Sequence, residues 1–248
     1  MTSAADVRVS ASRSELATSV AVALLARLSH VQSDGRVPQI GLTGGSIAEE
    51  LHREVARLSP GSGVDWSRVV LWWGDERWLP TGSADRNEVQ AHESFISAVG
   101  VDPSHVHAMP ASDEGLSLAD AAVAYGETMR EHGAGYFDVL MLGVGPDGHV
   151  ASLFPGHPAA VLRDAIAVPV EESPKPPPQR ISLTFEAMER SDAVWFVAAG
   201  ADKADAVAAA MAGPAEIGSP EAVECPARVP RGTEETVWWL DPETAPPS

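Results

Sequence analysis

An aspartate and a histidine one residue apart carry the most suggestive chemistry in the chain, within Gly143-Val-Gly-Pro-Asp-Gly-His-Val-Ala-Ser-Leu-Phe-Pro-Gly-His157. Imidazole ionises at about pH 6.5, so His149 could serve as a general base near neutrality, with the Asp147 carboxylate orienting its ring. The neighbouring glycines leave room for a ligand to approach the backbone. An isolated Asp-Gly-His also has a purely structural explanation, with Asp147 capping the loop and His149 packed in the core. The same stretch opens with the letters G-x-G-x-x-G, a dinucleotide-binding pattern. That pattern needs a strand before it and a helix N-terminus after it to meet the pyrophosphate. Val139–Leu142 supplies the strand, but Pro155, Gly156 and Pro158 interrupt the helix, and Pro146 removes an amide from the loop. The acidic residue required after the next strand is missing too, since Asp164 precedes Ala165–Val168. The dinucleotide reading fails on context.

Other segments offer groups that could converge with this loop. Thr43-Gly-Gly-Ser46 sits between an apolar run and a helical pattern, so Gly44 and Gly45 could present amides to an anion in the positive field of a helix N-terminus. Ser46 with Glu49 forms a capping-box pattern that places Ser46 at the N-cap. An ordinary capped turn is the competing explanation. The segment is neither a P-loop, lacking the Lys-Ser/Thr ending, nor a nucleophile elbow, lacking the last glycine. Gly74-Asp-Glu-Arg-Trp78 follows another apolar run and brings Asp75 and Arg77, either to a site or to a solvated charge cluster. In Ser83-Ala-Asp-Arg-Asn87, Asn87 or Arg86 could face the same cleft. Arg180 opens Arg-Ile-Ser-Leu-Thr184 and could grip a phosphate with two parallel hydrogen bonds. Lys203 falls in the first turn of a helical segment, where the macrodipole disfavours a cation unless an anion binds there; pairing with Asp202 or exposure to water is the alternative. Metal patterns are weak: His105-x-His107 lacks carboxylates nearby, and Asp147-x-His149 gives at most two ligands. No metal and no cofactor are expected.

These residues need a scaffold of alternating strands and helices. Ser12 to His30 carries Leu16, Val20, Leu24 and Leu28 on one helical face, with Ser12 and Glu15 as a capping box. Pro38–Leu42 reads as a buried strand, followed by a helix striped by Ile47, Leu51, Val55 and Leu58. Val69–Trp73, Phe137–Leu142, Ala165–Val170, Arg180–Thr184, Ala193–Ala198 and Thr236–Leu240 read as strands. Arg86–Val99, Leu116–His132 and Asp202–Met211 read as helices. The alternation predicts an α/β fold, a mostly parallel sheet covered by helices on both faces. One domain over residues 1–248 is expected. Glu172–Pro178 reads as a surface loop rich in proline, and Pro242–Ser248 as a frayed tail.

The chain has 248 residues, 44% of them hydrophobic, and a formal net charge of −18. That charge argues against nucleic acid, so no nucleic-acid partner is expected. It also obliges any anion site to work through local cations and backbone amides against the overall field. A lone cysteine, Cys225, leaves no internal disulfide and suits a reducing compartment. Met1–Asp6 lacks the features of a signal peptide, and no run is apolar enough for a membrane span. The expectation is a cytoplasmic protein without a membrane partner, monomeric or weakly oligomeric.

Six segments in order resemble the glucosamine-6-phosphate isomerase/6-phosphogluconolactonase superfamily. They are Gly41-Leu-Thr-Gly-Gly-Ser46, Trp73-Gly-Asp-Glu-Arg-Trp78, Ser83-Ala-Asp-Arg-Asn87, the Gly143–Gly156 loop, Arg180-Ile-Ser-Leu-Thr184 and Gly200-Ala-Asp-Lys203. In the deaminase branch the Asp-Gly-His segment continues into Phe-Asn-Glu-Pro, whose glutamate assists proton transfer. Here Ser152-Leu-Phe-Pro-Gly156 carries no acid, which favours the lactonase branch. The resemblance implies a three-layer α/β/α sandwich with a mostly parallel, modified Rossmann-like sheet, and hydrolysis of a phosphorylated sugar lactone in the pentose phosphate pathway. It implies His149 as base and Asp147 as its support. Gly44, Gly45, Ser46, Arg180 and Lys203 would meet the phosphate, and Asp75 and Asn87 the sugar or the supporting loops. Arg77 or loop amides would stabilise an oxyanion. A sugar-phosphate isomerase or deaminase and a non-catalytic sugar-phosphate-binding module remain open.

Overall fold

The computed structural model describes residues 5–246. Met1–Ala4, the start of the segment read for a leader, lie outside them, as do Pro247 and Ser248. The strands are β1 (Asp6–Val9), β2 (Gln39–Leu42), β3 (Val70–Trp73), β4 (Asp75–Arg77), β5 (Val139–Gly143), β6 (Ala167–Val170), β7 (Arg180–Leu183), β8 (Ala193–Ala198) and β9 (Glu235–Leu240). The helices are α1 (Arg13–Ser33), α2 (Ser46–Leu58), α3 (Asn87–Ala91), α4 (Ser97–Val99), α5 (Leu118–His132), α6 (Phe185–Met188), α7 (Ala204–Met211) and α8 (Pro220–Glu224). A π-helical turn, His92–Ile96, joins α3 to α4, so the expected helix Arg86–Val99 is one run with a bulge in its middle.

Six strands form a parallel sheet in the order β1-β9-β8-β5-β2-β3. Strands β2, β3 and β8 are buried throughout, and β5 as far as Leu142. That explains their unbroken apolar runs: helices cover both faces of a parallel sheet, leaving no polar side to alternate toward. The expected α/β Rossmann-like architecture is present. Helix α1 is capped by Ser12, whose Oγ accepts the Glu15 amide at 3.2 Å. Its Leu16, Val20, Leu24 and Leu28 are all buried. Where α2 continues this layer, Ile47, Leu51 and Val55 turn inward.

Two expected members of the parallel sheet belong elsewhere. Strands β6 and β7 pair antiparallel with each other, and β7 pairs antiparallel with β4, in a separate three-stranded sheet ordered β4-β7-β6. The cause is the length of the connection: Glu171–Gln179 is too short to carry a crossover helix, so β7 must run back along β6. Gly74 is the junction between the sheets. Its amide donates to the Leu42 carbonyl at 2.9 Å, and its own carbonyl accepts the Leu183 amide at 2.9 Å. The tail also departs from expectation. Thr244 is buried, its amide donates to Asp241 Oδ1 at 2.9 Å, and its hydroxyl donates to the Gly200 carbonyl at 3.1 Å.

Asp138 fixes β2 and β5 at the end remote from the loops described below. Its fully buried carboxylate accepts the Gln39 amide at 2.8 Å and a hydrogen bond from Arg36. Asp138→Ala strands that amide in the core and removes the partner of a half-exposed arginine. The variant is expected to lose about 2–3 kcal/mol, read as a lower midpoint in urea at unchanged m-value.

Candidate active site

In open parallel sheets, ligands bind beyond the carboxyl ends of the strands. Here the loops after β2, β3, β5 and β8 enclose a cleft of about 410 Å³. Gly44, Gly45, Asp75, Arg77, Asn87, His149, Arg180 and Lys203 line it. Two expected site residues do not. Asp147 stands behind His149, and Ser46 is exposed, accepting a hydrogen bond from Arg13 Nη2 at 2.9 Å.

Ser46 also misses its expected capping position. The N-cap is Gly45, at φ 99° and ψ 169°, with no side chain bonded to the first turn. A left-handed φ favours glycine there, and an uncapped N-terminus leaves the early amides of α2 free for a ligand. Gly44 is required for a different reason. A Cβ at this position would lie 2.0 Å from Asn87 Oδ1. The glycine thus lets the Gly44–Gly45 loop and the Asn87 side chain occupy adjacent space.

Asn87 organises the opposite wall. Its Nδ2 donates to the Asp75 carbonyl at 2.9 Å, and its Oδ1 accepts Arg77 Nη1 at 2.7 Å. Arg77 Nη1 also donates to the Asp85 carbonyl at 2.9 Å. Arg86, the other candidate in this segment, is buried outside the cleft, where it donates to the carbonyls of Leu79 and Met109. Asp75 is buried and accepts the Ser152 hydroxyl at 2.6 Å, and its Oδ2 lies 4.0 Å from Arg180 Nη1. Arg180 spends most of its fork on backbone. Nε donates to the Pro177 carbonyl, and Nη2 to those of Lys175 and Pro176. Burial pulls its pKa below the usual arginine value.

His149 is held on two sides. Its Nδ1 lies 2.5 Å from Asp147 Oδ1, and its ring tilts against Phe154 at a centroid distance of 4.5 Å. Burial resists ionisation of Asp147. The hydrogen bond and charge of His149, with the charge of Lys175, nevertheless hold its pKa at about 2. The loop is shaped by close approach: a Cβ on Gly145 would lie 2.0 Å from the His149 ring and 2.6 Å from Asp147 Oδ1. Ala151, two residues on, adopts a left-handed φ of 49°, a strained conformation for a non-glycine residue facing the cleft. Lys203 occupies the N-cap position of α7 after the tight turn Ala201–Lys203, one step outside the expected first helical turn. Burial lowers its pKa. His105 and His107 lie away from the cleft, with the His107 ring stacked on Trp72 at 4.3 Å.

Three contributors escape sequence reasoning. Ser152 reads only as part of a loop, yet it holds Asp75. Lys175 sits in the proline-rich segment and still lines the cleft. Glu76 leaves no local signal because it caps a helix eleven residues away in sequence, accepting the amides of Asn87 and Glu88 at 2.8 and 2.9 Å. A third amide, that of Arg77, donates to it at 2.8 Å.

The family model described as "Glucosamine-6-phosphate isomerases/6-phosphogluconolactonase" matches residues 11–239. The chain belongs to this family. It is 42% identical to a 6-phosphogluconolactonase of Streptomyces coelicolor, over 93% of this chain and 89% of the relative. It is 46% identical to one of Mycobacterium leprae, over 83% of each. A solved 6-phosphogluconolactonase from Thermotoga maritima shares the fold at a TM-score of 0.81 and 24% identity, over 96% of this chain and 99% of that one. The fold of a monomeric glucosamine-6-phosphate deaminase is also similar, at a TM-score of 0.78 and 18% identity, covering 96% and 98%. The fold thus spans both branches of the glucosamine-6-phosphate isomerase/6-phosphogluconolactonase family, and side chains must separate them. After its Asp-Gly-His segment this family member carries Ser152-Leu-Phe-Pro-Gly156, which contains no acid and whose serine hydroxyl is bound to Asp75.

Glu76 provides a test of the wall. Burial raises its pKa to about 6, against the charge of Arg86 and the three amides that favour the carboxylate. Because the folded value exceeds that of the unfolded chain, this group's contribution to stability is full below about pH 4.5 and is lost as pH rises through 6. The window corresponds to roughly 2 kcal/mol. Carboxyl-carbon NMR, with the Glu76 resonance assigned from its loss in Glu76→Gln, should give a midpoint near 6. A midpoint in the range of exposed glutamates would overturn the assignment.

Proposed function

We propose that the protein hydrolyses 6-phospho-D-glucono-1,5-lactone to 6-phosphogluconate, with His149 as general base. The observation that carries this reading is the ring of His149, open to the cleft and tied at Nδ1 to Asp147. With Nδ1–H committed to the carboxylate, Nε2 is the nitrogen left to accept a proton from water. A lactone carbonyl is already electrophilic, so an activated water can attack it without a covalent intermediate on the enzyme. The water oxygen bonds to the carbonyl carbon, its proton passes to Nε2, and Asp147 stabilises the imidazolium formed. Arg77, oriented by Asn87, and the loop amides are the donors for the developing oxyanion. Collapse of that intermediate breaks the bond to the ring oxygen, which takes the proton back from His149.

At the other end of the substrate, the amides that follow Gly44 and Gly45, together with Lys203, hold the phosphate. Arg180 contributes through Nη1, the arm of its guanidinium free of backbone carbonyls, and Ser46 supports the loop from outside through Arg13. Asp75 and Asn87 brace this wall. A phosphate gripped remotely fixes the carbonyl at the base and supplies binding energy for orientation. The absence of an acid in Ser152–Gly156 supports a lactonase over an aminosugar deaminase. We read residues 1–248 as one unit working in the cytoplasm, which the lone Cys225 suits, as a monomer or weak oligomer and without metal or cofactor. Among the described residues, no helix is long and apolar enough to cross a membrane.

His149→Ala is expected to lower lactone hydrolysis about 10²- to 10⁴-fold, after correction for the spontaneous reaction, while 6-phosphogluconate still binds. Near-parental turnover would remove His149 from the mechanism, and ammonia release from glucosamine 6-phosphate would transfer the protein to the deaminase branch. Lys203→Ala should raise KM for the phosphorylated lactone more than kcat falls. Equal losses on phosphorylated and unphosphorylated gluconolactone would show that Lys203 does not read the phosphate.

A further inference from the structure

The proline-rich loop between β6 and β7 is folded back as an arch over the cleft. Its ends are tied by the Ser173 amide, which donates to the Pro178 carbonyl at 2.9 Å, and by the Trp78 amide, which donates to the Gln179 carbonyl at 3.0 Å. Inside the arch, Ser173 Oγ donates to the Lys175 carbonyl at 3.0 Å and accepts the Lys175 amide at 3.2 Å. Arg180 fills the centre, its buried guanidinium donating to three successive carbonyls, Lys175, Pro176 and Pro177, at 3.2–3.3 Å. The far side of that guanidinium lies over Phe154, 5.8 Å from the ring centre. An arginine so engaged shapes a loop. What the loop delivers to the cleft is Lys175.

Lys175 reaches both halves of the site. Its charge favours the carboxylate of Asp147 beside the base; at the phosphate end the ammonium of Lys203 is disfavoured by burial and by the charges of Arg13 and Lys175, and favoured by Asp202 and Asp241. Neither Lys175 nor Lys203 enters an ion pair among the described residues, in a chain that carries 35 acidic side chains against 17 lysines and arginines. Two lysines facing one cleft repel each other, and the nearby charges of Asp202 and Asp241 offset only part of the cost of burying the Lys203 ammonium. A dianion between them converts the repulsion into two attractions.

We infer that Lys175 is a specificity-determining residue that clamps the phosphate of the substrate against Lys203, and that Arg180 acts mainly as a positioning residue by holding the arch that presents Lys175. The inference rests on the proposed lactone hydrolysis for the identity of the substrate, though the anion site itself does not. Lys175→Met keeps the aliphatic stem and removes the charge, whereas Lys175→Arg restores a cation.

The measurement is the ratio of kcat/KM for 6-phosphogluconolactone to that for unphosphorylated gluconolactone. One charged hydrogen bond corresponds to about 10- to 100-fold in affinity. Lys175→Met should lower the ratio by at least about 10-fold, mostly through KM, and Lys175→Arg should recover most of it. Arg180→Lys, whose single nitrogen cannot reproduce the separate Nε and Nη2 donors that span the three carbonyls, should lower the ratio in the same direction. An unchanged ratio in Lys175→Met, including equal losses on both lactones, would overturn the inference. A second readout uses inorganic phosphate alone. Phosphate should raise the Tm of the parent protein more than that of Lys175→Met, and equal shifts would also overturn it. If the parent hydrolysed no lactone, the functional reading would fall while the phosphate comparison still decided the role of Lys175.

Discussion

The Glu76 carboxylate is the contact on which the geometry of the cleft depends. It leaves the end of the parallel sheet two residues after the junction at Gly74, enters the core, and accepts three backbone amides. Two of those belong to the first turn of α3, which has no side-chain cap of its own at Arg86. The carboxylate therefore fixes α3 relative to β4, and with it Asn87. Asn87 in turn sets Arg77 on one side and abuts the glycine loop on the other. Burying an acid is costly, and the amides and Arg86 offset only part of that cost. The return is a wall whose polar groups are already oriented before a ligand arrives.

Much of this molecule is legible in its sequence because parallel strands and amphipathic helices write simple patterns. The runs at Val70–Trp73 and Ala193–Ala198 are apolar throughout because both faces of the sheet are covered. Leu16, Val20, Leu24 and Leu28 repeat at helical spacing because one face of α1 meets the core. The cleft was legible for a related reason: its loops follow strand ends and contain the glycines, charges and histidine that a polar ligand requires. Six short segments in family order then tied those loops together.

What stayed hidden depends on partners distant in the chain. The pattern of Ala167–Val170 and Arg180–Leu183 reports burial but not strand direction, so the second sheet was invisible until the short connection between them was weighed. Ser46 and Glu49 spell a capping box, yet Gly45 caps the helix, because the backbone turns left-handed one residue earlier. Lys175 lies in a run of prolines that looks like surface, and the reach of Arg180 across its carbonyls, together with the Ser173 and Trp78 hydrogen bonds, folds that run toward the cleft.

The order of the main sheet bears on the sequence of events during synthesis. Among the described residues, strand β1 pairs with the sheet only through β9, which lies far later in the sequence. Immediately after β9, Asp241 accepts the Gly200 amide and Thr244 donates to the Gly200 carbonyl, bracing the turn that carries Lys203. A nascent chain emerging from the ribosome thus holds β1 unpaired and the Lys203 turn unbraced until β9 and Thr244 are free. Closure of the sheet at β1 and bracing of the Lys203 turn are one event, joining segments far apart in the chain.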